Sequence, residues 1–446
     1  MAPIRTIRGG KPALVALMLA MALGLVACQP SQTPSTTARP TAPADFSGHL
    51  TLGHFFTGDD ADAVQATVDS FESLYTNVTV SVIPGLDDDE LRSAITAGRN
   101  MDVAITYSSD QIGPLCSSGT FNDLTPYIQA DNIDMGQIPS IVASYTQFGG
   151  SQCALPMLTD ATGLYYNKAL FDAAGIAGPP KTLDELAADA KALTTHNKDG
   201  SIKTLGFMPL VGYYETNQSN LAAMAGAKWL NSDGTSAIGS DTAWTMILQW
   251  QKKLIDDLGG FKALDNWMAL AGDEFSPQND FETGRLAMQF DGDWRVSMIA
   301  DEAPSLTYGT SPLPTASPDF YGGGVIDGNI IGIPKGSTDP ALAWELVKYL
   351  ALNTDTQVQL ANQLNSLPTI NSAATSLSLE VSPQYQVFLD VLRNAHSVTE
   401  PRTTSGTQYA DIMATFMQNW QSGLVSNLAD GLADVDQEIN SALSQG

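Results

Sequence analysis

The chain has 446 residues, 43% of them hydrophobic, with 48 acidic against 21 basic side chains and a formal net charge of -27. That length exceeds a typical single domain about two- to threefold, which gives room for two cores that hold without staples. So negative a surface repels nucleic acid and other polyanions, leaves neutral ligands indifferent and attracts cations, although solubility alone is also a sufficient reason for that much acid.

In chain order, residues 1–27 carry Arg5, Arg8 and Lys11, no acid, and an apolar run from Ala13 to Ala27 that stops at "LVAC". The run is short for a full membrane span and reads as a secretory signal peptide. The small residue before Cys28 makes the end a bacterial lipoprotein box, with Cys28 the lipidated first residue of the mature chain. The alternative is an anchor helix that happens to contain a cysteine. Residues 28–48 follow as a Pro-, Ser- and Thr-rich stretch with almost no apolar side chains, expected to be a disordered tether. Cleavage would remove three positive charges and no negative ones, taking the net charge from -27 to about -30. Two cysteines then remain, Cys116 and Cys153. In an oxidising compartment a bridge between them is the simplest outcome, contributing roughly 3 to 4 kcal/mol, with two buried free thiols as the alternative.

The stretch "GHLTLGHFF" (48–56) predicts a strand, and Ala61, Val64, Val68, Phe71 and Tyr75 then share one helical face. "NVTVSVI" alternates as a second strand, "DDDELRSAITAG" predicts a helix that starts on acids and stops on Gly98, and "MDVAIT" is a third, buried strand. This βαβαβ order implies a parallel, open sheet whose ligands sit beyond the carboxyl ends of its strands, here "FFTGDD" (55–60) and "TYSSD" (106–110). The middle of the chain reads as mostly helical. "TLDELAADAKALTTH" opens on a Thr182 to Glu185 capping box. "DTAWTMILQWQKKLIDDL" places Ile247, Trp250, Leu254 and Leu258 on one face, and "PALAWELVKYLAL" has Pro340 at its start. The tryptophans of both helices are expected in the core.

Signals of chemistry mostly fail. There is no G-x-S-x-G elbow and no phosphate loop, and "GGGVIDG" misses the dinucleotide fingerprint because Asp327 stands where its third glycine belongs. The four histidines show no metal spacing, and no cofactor is implied. Acid pairs (Asp59 with Asp60, Asp87 to Glu90, Asp291 with Asp293) leave a glycoside hydrolase open, since that chemistry needs two facing carboxylates. Asp87 to Glu90 read better as a helix start, where anions meet the positive end of the dipole.

Several phrases together resemble the extracellular solute-binding proteins of ABC importers, in the carbohydrate-binding family similar to maltose-binding proteins. They are "FNDLTPYI" (121–128), "ALPMLTDATGLYYNKALFDAAGI" (154–176), "PPKTLDEL" (179–186), "FETGRLAMQFDGDW" (281–294), "IGIPKGSTDPALAWELVKYL" (331–350) and "LPTINSA" (367–373). The resemblance implies an α/β, two-lobed periplasmic-binding-protein fold with a hinge and a ligand cleft. The N-terminal lobe would take 49–157 plus 322–372, and the C-terminal lobe 158–321 plus 373–446. Glycines 322–324 would serve the hinge.

By the same resemblance the protein is no enzyme. It would bind a sugar or oligosaccharide and pass it to the permease subunits of an ABC importer, while lipidated Cys28 anchors it to the membrane outside the cytoplasm. Alternatives are a cationic peptide or polyamine as cargo, or a surface glycoside hydrolase. A sugar ring offers an apolar C–H face to an aromatic ring and a rim of hydroxyls to carboxylates. "DGDW" supplies both, so Trp294 is expected to stack on the sugar with Asp293 as a hydroxyl acceptor. Asp160 matches an acidic sugar contact in relatives. Tyr107 and Ser108 follow the third strand, Tyr213 and Tyr214 resemble an aromatic platform of the second lobe, and Asp327 and Asn329 lie on the returning crossover. Trp267, His396 and Arg402 complete the expected contacts. The sequence departs from many relatives in "HFFTGDD", where phenylalanines replace a tryptophan.

Overall fold

A computed structural model describes residues 42–445. The predicted signal peptide, the lipidation of Cys28 and most of the tether fall outside the described residues. The end of the predicted tether does not behave as tether. Pro43–Asp45 form a 3-10 turn, and Phe46 is buried with its ring edge-on to Tyr75 at 5.8 Å. One aromatic side chain in a polar stretch is enough to fix it, because burying it recovers apolar area that the surrounding residues lack.

The first half follows the predicted order. Strand β1 (Gly48–Gly53), the helix Gly58–Leu74, β2 (Val78–Ile83), the helix Asp88–Thr96 and β3 (Val103–Ile105) succeed one another. β1 pairs in parallel with both β2 and β3. Val64, Val68 and Phe71 are fully buried on the predicted face of the first helix. The second helix opens on a capping box in which Asp87 and Glu90 each accept the other's backbone N–H, and Gly98 takes the left-handed conformation just past its end (φ 70°).

Six more strands complete the sheet: β4 (Ala154–Asn167), β5 (Thr195–His196), β6 (Ile202–Phe207), β7 (Leu286–Gly292), β8 (Tyr308–Ser311) and β9 (Ile326–Gly332). The order is β2-β1-β3-β9-β4-β7-β6-β5, with β8 also on β4. β9 runs antiparallel to β3 and β4, while β6 and β7 are parallel. β4, 14 residues long, joins the two halves. Its residues Ala154 to Ala161 pair with β9, and Thr162 to Tyr166 pair with β7.

Apolar burial forms three clusters. One, with Leu50, Val68, Phe71, Val103 and Trp344, fills the first half. A second, with Phe207, Trp244, Ile247, Trp267 and Phe290, fills the other half. A third includes Tyr145, Tyr165, Phe281 and Phe388. Trp244 and Trp344 are core, as expected. Trp250 is half-buried and donates its indole N–H to the Leu183 carbonyl at 3.1 Å. The Thr182 to Glu185 capping box forms. Cys116 and Cys153 are joined as a disulfide, with Cα atoms 5.9 Å apart, tying a short helix to the start of β4.

Glycines 322–324 differ from the flexible joint expected of them. A Cβ on Gly323 would stand 2.6 Å from the His396 carbonyl, and one on Gly324 2.7 Å from the Thr162 carbonyl oxygen. Gly323 and Gly324 are needed for close backbone approach. Only Gly322, at φ 108°, needs conformational freedom.

Candidate ligand-binding cleft

The floor of the site comes from β4 and β9, whose register sets Asp160 directly opposite Asp327. Asp327 accepts hydrogen bonds from the hydroxyls of Ser109 and, at 3.3 Å, Ser108. Ser108 Oγ also stands 3.0 Å from Asp110, so its one proton is shared between the two carboxylates. Arg402 pairs with Asp110, reaches Asp327 at 4.0 Å, and lies 5.5 Å from the centre of the Tyr145 ring. Glu400 accepts from the Tyr409 hydroxyl at 3.1 Å. Burial and the neighbouring Asp327 push the Asp160 carboxyl up to about 7. Burial with Asp327 as neighbour raises Asp110 to about 6, and burial with Asp110 and Asp327 as neighbours raises Glu400 to about 8. Charges that cannot all ionise together share protons instead.

One wall follows the carboxyl ends of β1 and β3. Tyr107 is 61% exposed and stands edge-on to Phe55 at 5.1 Å. It is held by its backbone: Asp88 accepts the N–H groups of Tyr107 (2.7 Å) and Ser108 (3.3 Å), and Asn329 donates to the Tyr107 carbonyl at 2.7 Å. Water reaches the ring. Desolvation there, with Glu215, Asp160, Glu274 and Asp327 within electrostatic reach, raises its hydroxyl to about 12.

The opposite wall is built on "DGDW". β7 ends at Gly292, and Trp294 caps the helix Arg295–Glu302. The Trp294 ring folds back over Gly292 so closely that a Cβ there would lie 2.1 Å from its Cζ3. Trp294 is half-buried, and its indole N–H has no protein partner. Asp293 is fully buried. Its Oδ1 accepts the Ala161 N–H at 2.8 Å, and its Oδ2 has no partner. Burial and the adjacent Asp160 push its carboxyl well above the usual range. Arg295, also fully buried, is spent on Asp291 (2.7 Å) and Glu282 (3.1 Å). Burial, with Asp291 beside it, raises Glu215 to about 7 and Glu274 to about 8.

Of the expected contacts, Ser108, Asp160, Asp327 and Arg402 are linked by the strand pairing, hydrogen bonds and ion pairs above, Asp293 reaches the Ala161 N–H beside Asp160, and Tyr107 and Trp294 are chain neighbours of this group. Others lie elsewhere. Tyr213 is buried, donating to Asp280 at 2.9 Å. Trp267 is buried beneath the Arg285 guanidinium, 4.6 Å from its ring centre. Both belong to the second core and leave no platform there. Tyr214, stacked on Tyr213 at 4.0 Å, is half-buried and its hydroxyl donates to the Gly272 carbonyl. His396 is exposed, edge-on to Phe320 at 6.0 Å. Asn329 is buried and positions Tyr107. The sequence reading missed Asp88, Asp110, Glu215, Glu274 and Glu400. Glu215 directly follows the tyrosine pair and Asp110 ends "TYSSD", so position was the only signal.

The family model described as bacterial extracellular solute-binding protein matches residues 57–357. The chain belongs to this family. The resemblance read from the sequence is thereby borne out. A putative binding protein of Brucella abortus is 27% identical over 335 residues, 74% of this chain and 77% of its own. The maltotriose-binding protein of Pyrococcus abyssi is 24% identical over 363 residues, 78% of this chain and 73% of its own. Among solved structures, CpMnBP1 with mannotriose bound superposes with a TM-score of 0.77 at 23% identity, covering 88% of this chain and 99% of that one. That match bears out the two-lobed α/β fold. Among the described residues, no helix is long and apolar enough to cross a membrane.

Proposed function

We propose that this solute-binding protein captures an oligosaccharide between its two walls, closes on it, and passes it to an ABC importer permease without chemistry of its own. The observation that carries the reading is the Asp160 and Asp327 pair across the β4–β9 ladder, with an exposed Tyr107 just after β3 and a half-buried Trp294 just after β7. Aromatic faces accept the C–H surface of a sugar, and paired carboxylates accept its hydroxyls. The relative named for maltotriose and the similar structure with mannotriose bound support a carbohydrate cargo.

In this reading Trp294 stacks on a sugar ring, Asp160 accepts hydroxyls, and Asp293 faces the same ring. The lobes divide as 49–157 plus 322–372 and 158–321 plus 373–446. The change of β4 from β9 to β7 as its partner, next to Asp160, supports a division near there. Lipidated Cys28 would hold the protein at the membrane, outside the cytoplasm.

The test is thermal unfolding and tryptophan fluorescence of the purified protein against a carbohydrate panel. A sugar at a hundred times its Kd stabilises by about 2.7 kcal/mol. One oligosaccharide class should shift the transition, and Trp294→Ala should abolish the shift with the fold intact. Silence across the whole panel, or release of reducing ends from a glycan, would sink the reading.

A further inference from the structure

The floor continues past Asp160 and Asp327 along three neighbouring extended segments. Val325 lies two residues before Asp327, and Thr162 two residues after Asp160. The Thr162 N–H donates to the Val325 carbonyl at 3.1 Å, which carries the β4–β9 pairing onward. Residues two apart in extended backbone share a face, so Val325 stands on the face of Asp327. Val398 bridges to Val325 from the other side, and Glu400 lies between Val398 and Arg402, the cation that reaches Asp327. Val325, Val398 and Glu400 all line a cavity of about 330 Å³. The helix Gln218–Ala225 turns Ala222 and Ala223 to the same cavity. Its Asn220 accepts the Thr162 hydroxyl at 2.6 Å, which ties the helix to the floor.

The cavity pairs an aromatic ring with a carboxyl. Trp229 lines it, its ring edge-on to both Trp244 (4.8 Å) and Tyr409 (5.1 Å). Tyr409 also donates its hydroxyl to Glu400 at 3.1 Å, so one buried tyrosine positions both groups. A carboxyl exchanges hydrogen bonds with hydroxyls whether or not it carries its proton. The small side chains of Ala222 and Ala223 leave the room open. Small-molecule pockets begin at about 300 Å³, so the space suits a single ring rather than a longer chain. Resting on the carbohydrate reading above, we propose that this cavity is a second subsite, which takes the ring next to the one seated on the Asp160 and Asp327 floor. Two residues of strand span about 6.6 Å, which lets the two rings be neighbours in one chain.

The experiment is calorimetric titration of the purified protein with α-glucan, β-mannan, β-galactan and β-xylan oligosaccharides, each series running from one ring to four. In a series that binds, affinity should rise about tenfold when one ring is added to the shortest member that binds, the scale of a ring packed on an aromatic. Ala223→Leu fills the cavity from the helix side and should remove that gain, while the shortest member binds within about twofold of its original affinity. That retained binding is also the check that the variant is folded. Val398→Phe fills the cavity from the opposite wall and should act in the same way, so the test does not depend on one substitution. An equal loss at every length, no loss from either variant, or an original affinity that does not grow with length overturns the subsite and leaves the carbohydrate reading standing. No binding in any series overturns both.

Discussion

Asp160 and Asp327 are direct partners across the β4–β9 ladder, two carboxylates facing one another on the floor of the cleft. Like charges opposed across a ladder destabilise it unless one takes a proton. The floor thus makes folding sensitive to pH. Asp160 and Glu215 titrate near 7, and Glu274 and Glu400 near 8. Each folded value lies above its unfolded one, so between them the native state binds more protons and stability rises as pH falls. The ligand-free protein should melt higher at pH 6.5 than at pH 8.0, by roughly 2 °C or more. The lower limit avoids His54, which burial depresses to about 4 and which opposes the trend only below its ordinary value of 6.5. A flat or falling melting temperature over this interval would contradict it.

Gly292→Ala tests the contact between Gly292 and Trp294. The new methyl group would lie 2.1 Å from the ring and must displace it. Ligand affinity should drop about as far as with Trp294→Ala, on the order of 2 kcal/mol for a central aromatic anchor. An unchanged affinity in the alanine variant would mean that the ring is not a contact.

Tyr107 and Tyr213 should part company. Tyr107→Ala removes an exposed ring and should weaken binding at least about tenfold with little change in stability. Tyr213→Phe deletes the hydrogen bond to buried Asp280. It should cost about 1 kcal/mol of stability or more and leave affinity alone. Urea unfolding and calorimetry on both variants would expose the reverse pattern.

The disulfide spans 37 residues. Replacing both Cys116 and Cys153 by serine should cost roughly 3 to 4 kcal/mol by the chain-entropy estimate. Equilibrium unfolding of the double variant reads this directly, and a loss below about 1 kcal/mol would show that the bridge constrains little.

The elements whose faces follow from local periodicity were legible in the sequence. The βαβαβ opening and the two long amphipathic helices are of this kind. The strand before "DGDW" was legible too, because Leu286, Met288 and Phe290 alternate with period two and are buried. Tyr213 and Tyr214 were not separable, since adjacent residues take opposite surroundings and the turn sets Tyr214 at φ 43°. Trp267 was lost to a stacked arginine, Arg285, far along the chain, which no local pattern reports. Glu215 and Glu274 carry no signal of their own. Their raised values come from burial that arises only when distant segments meet.

The length of β4 also limits how such a site can change over generations. Along a ladder, side chains alternate between faces, so inserting one residue before Asp160 would turn every later side chain of the strand to the wrong face. The floor can therefore be altered only by exchange of one side chain for another. The loops bearing Glu215 and Arg402 are under no such restriction. New cargo preferences in descendants of this chain should arise as point substitutions on the floor and as length variation at the rim.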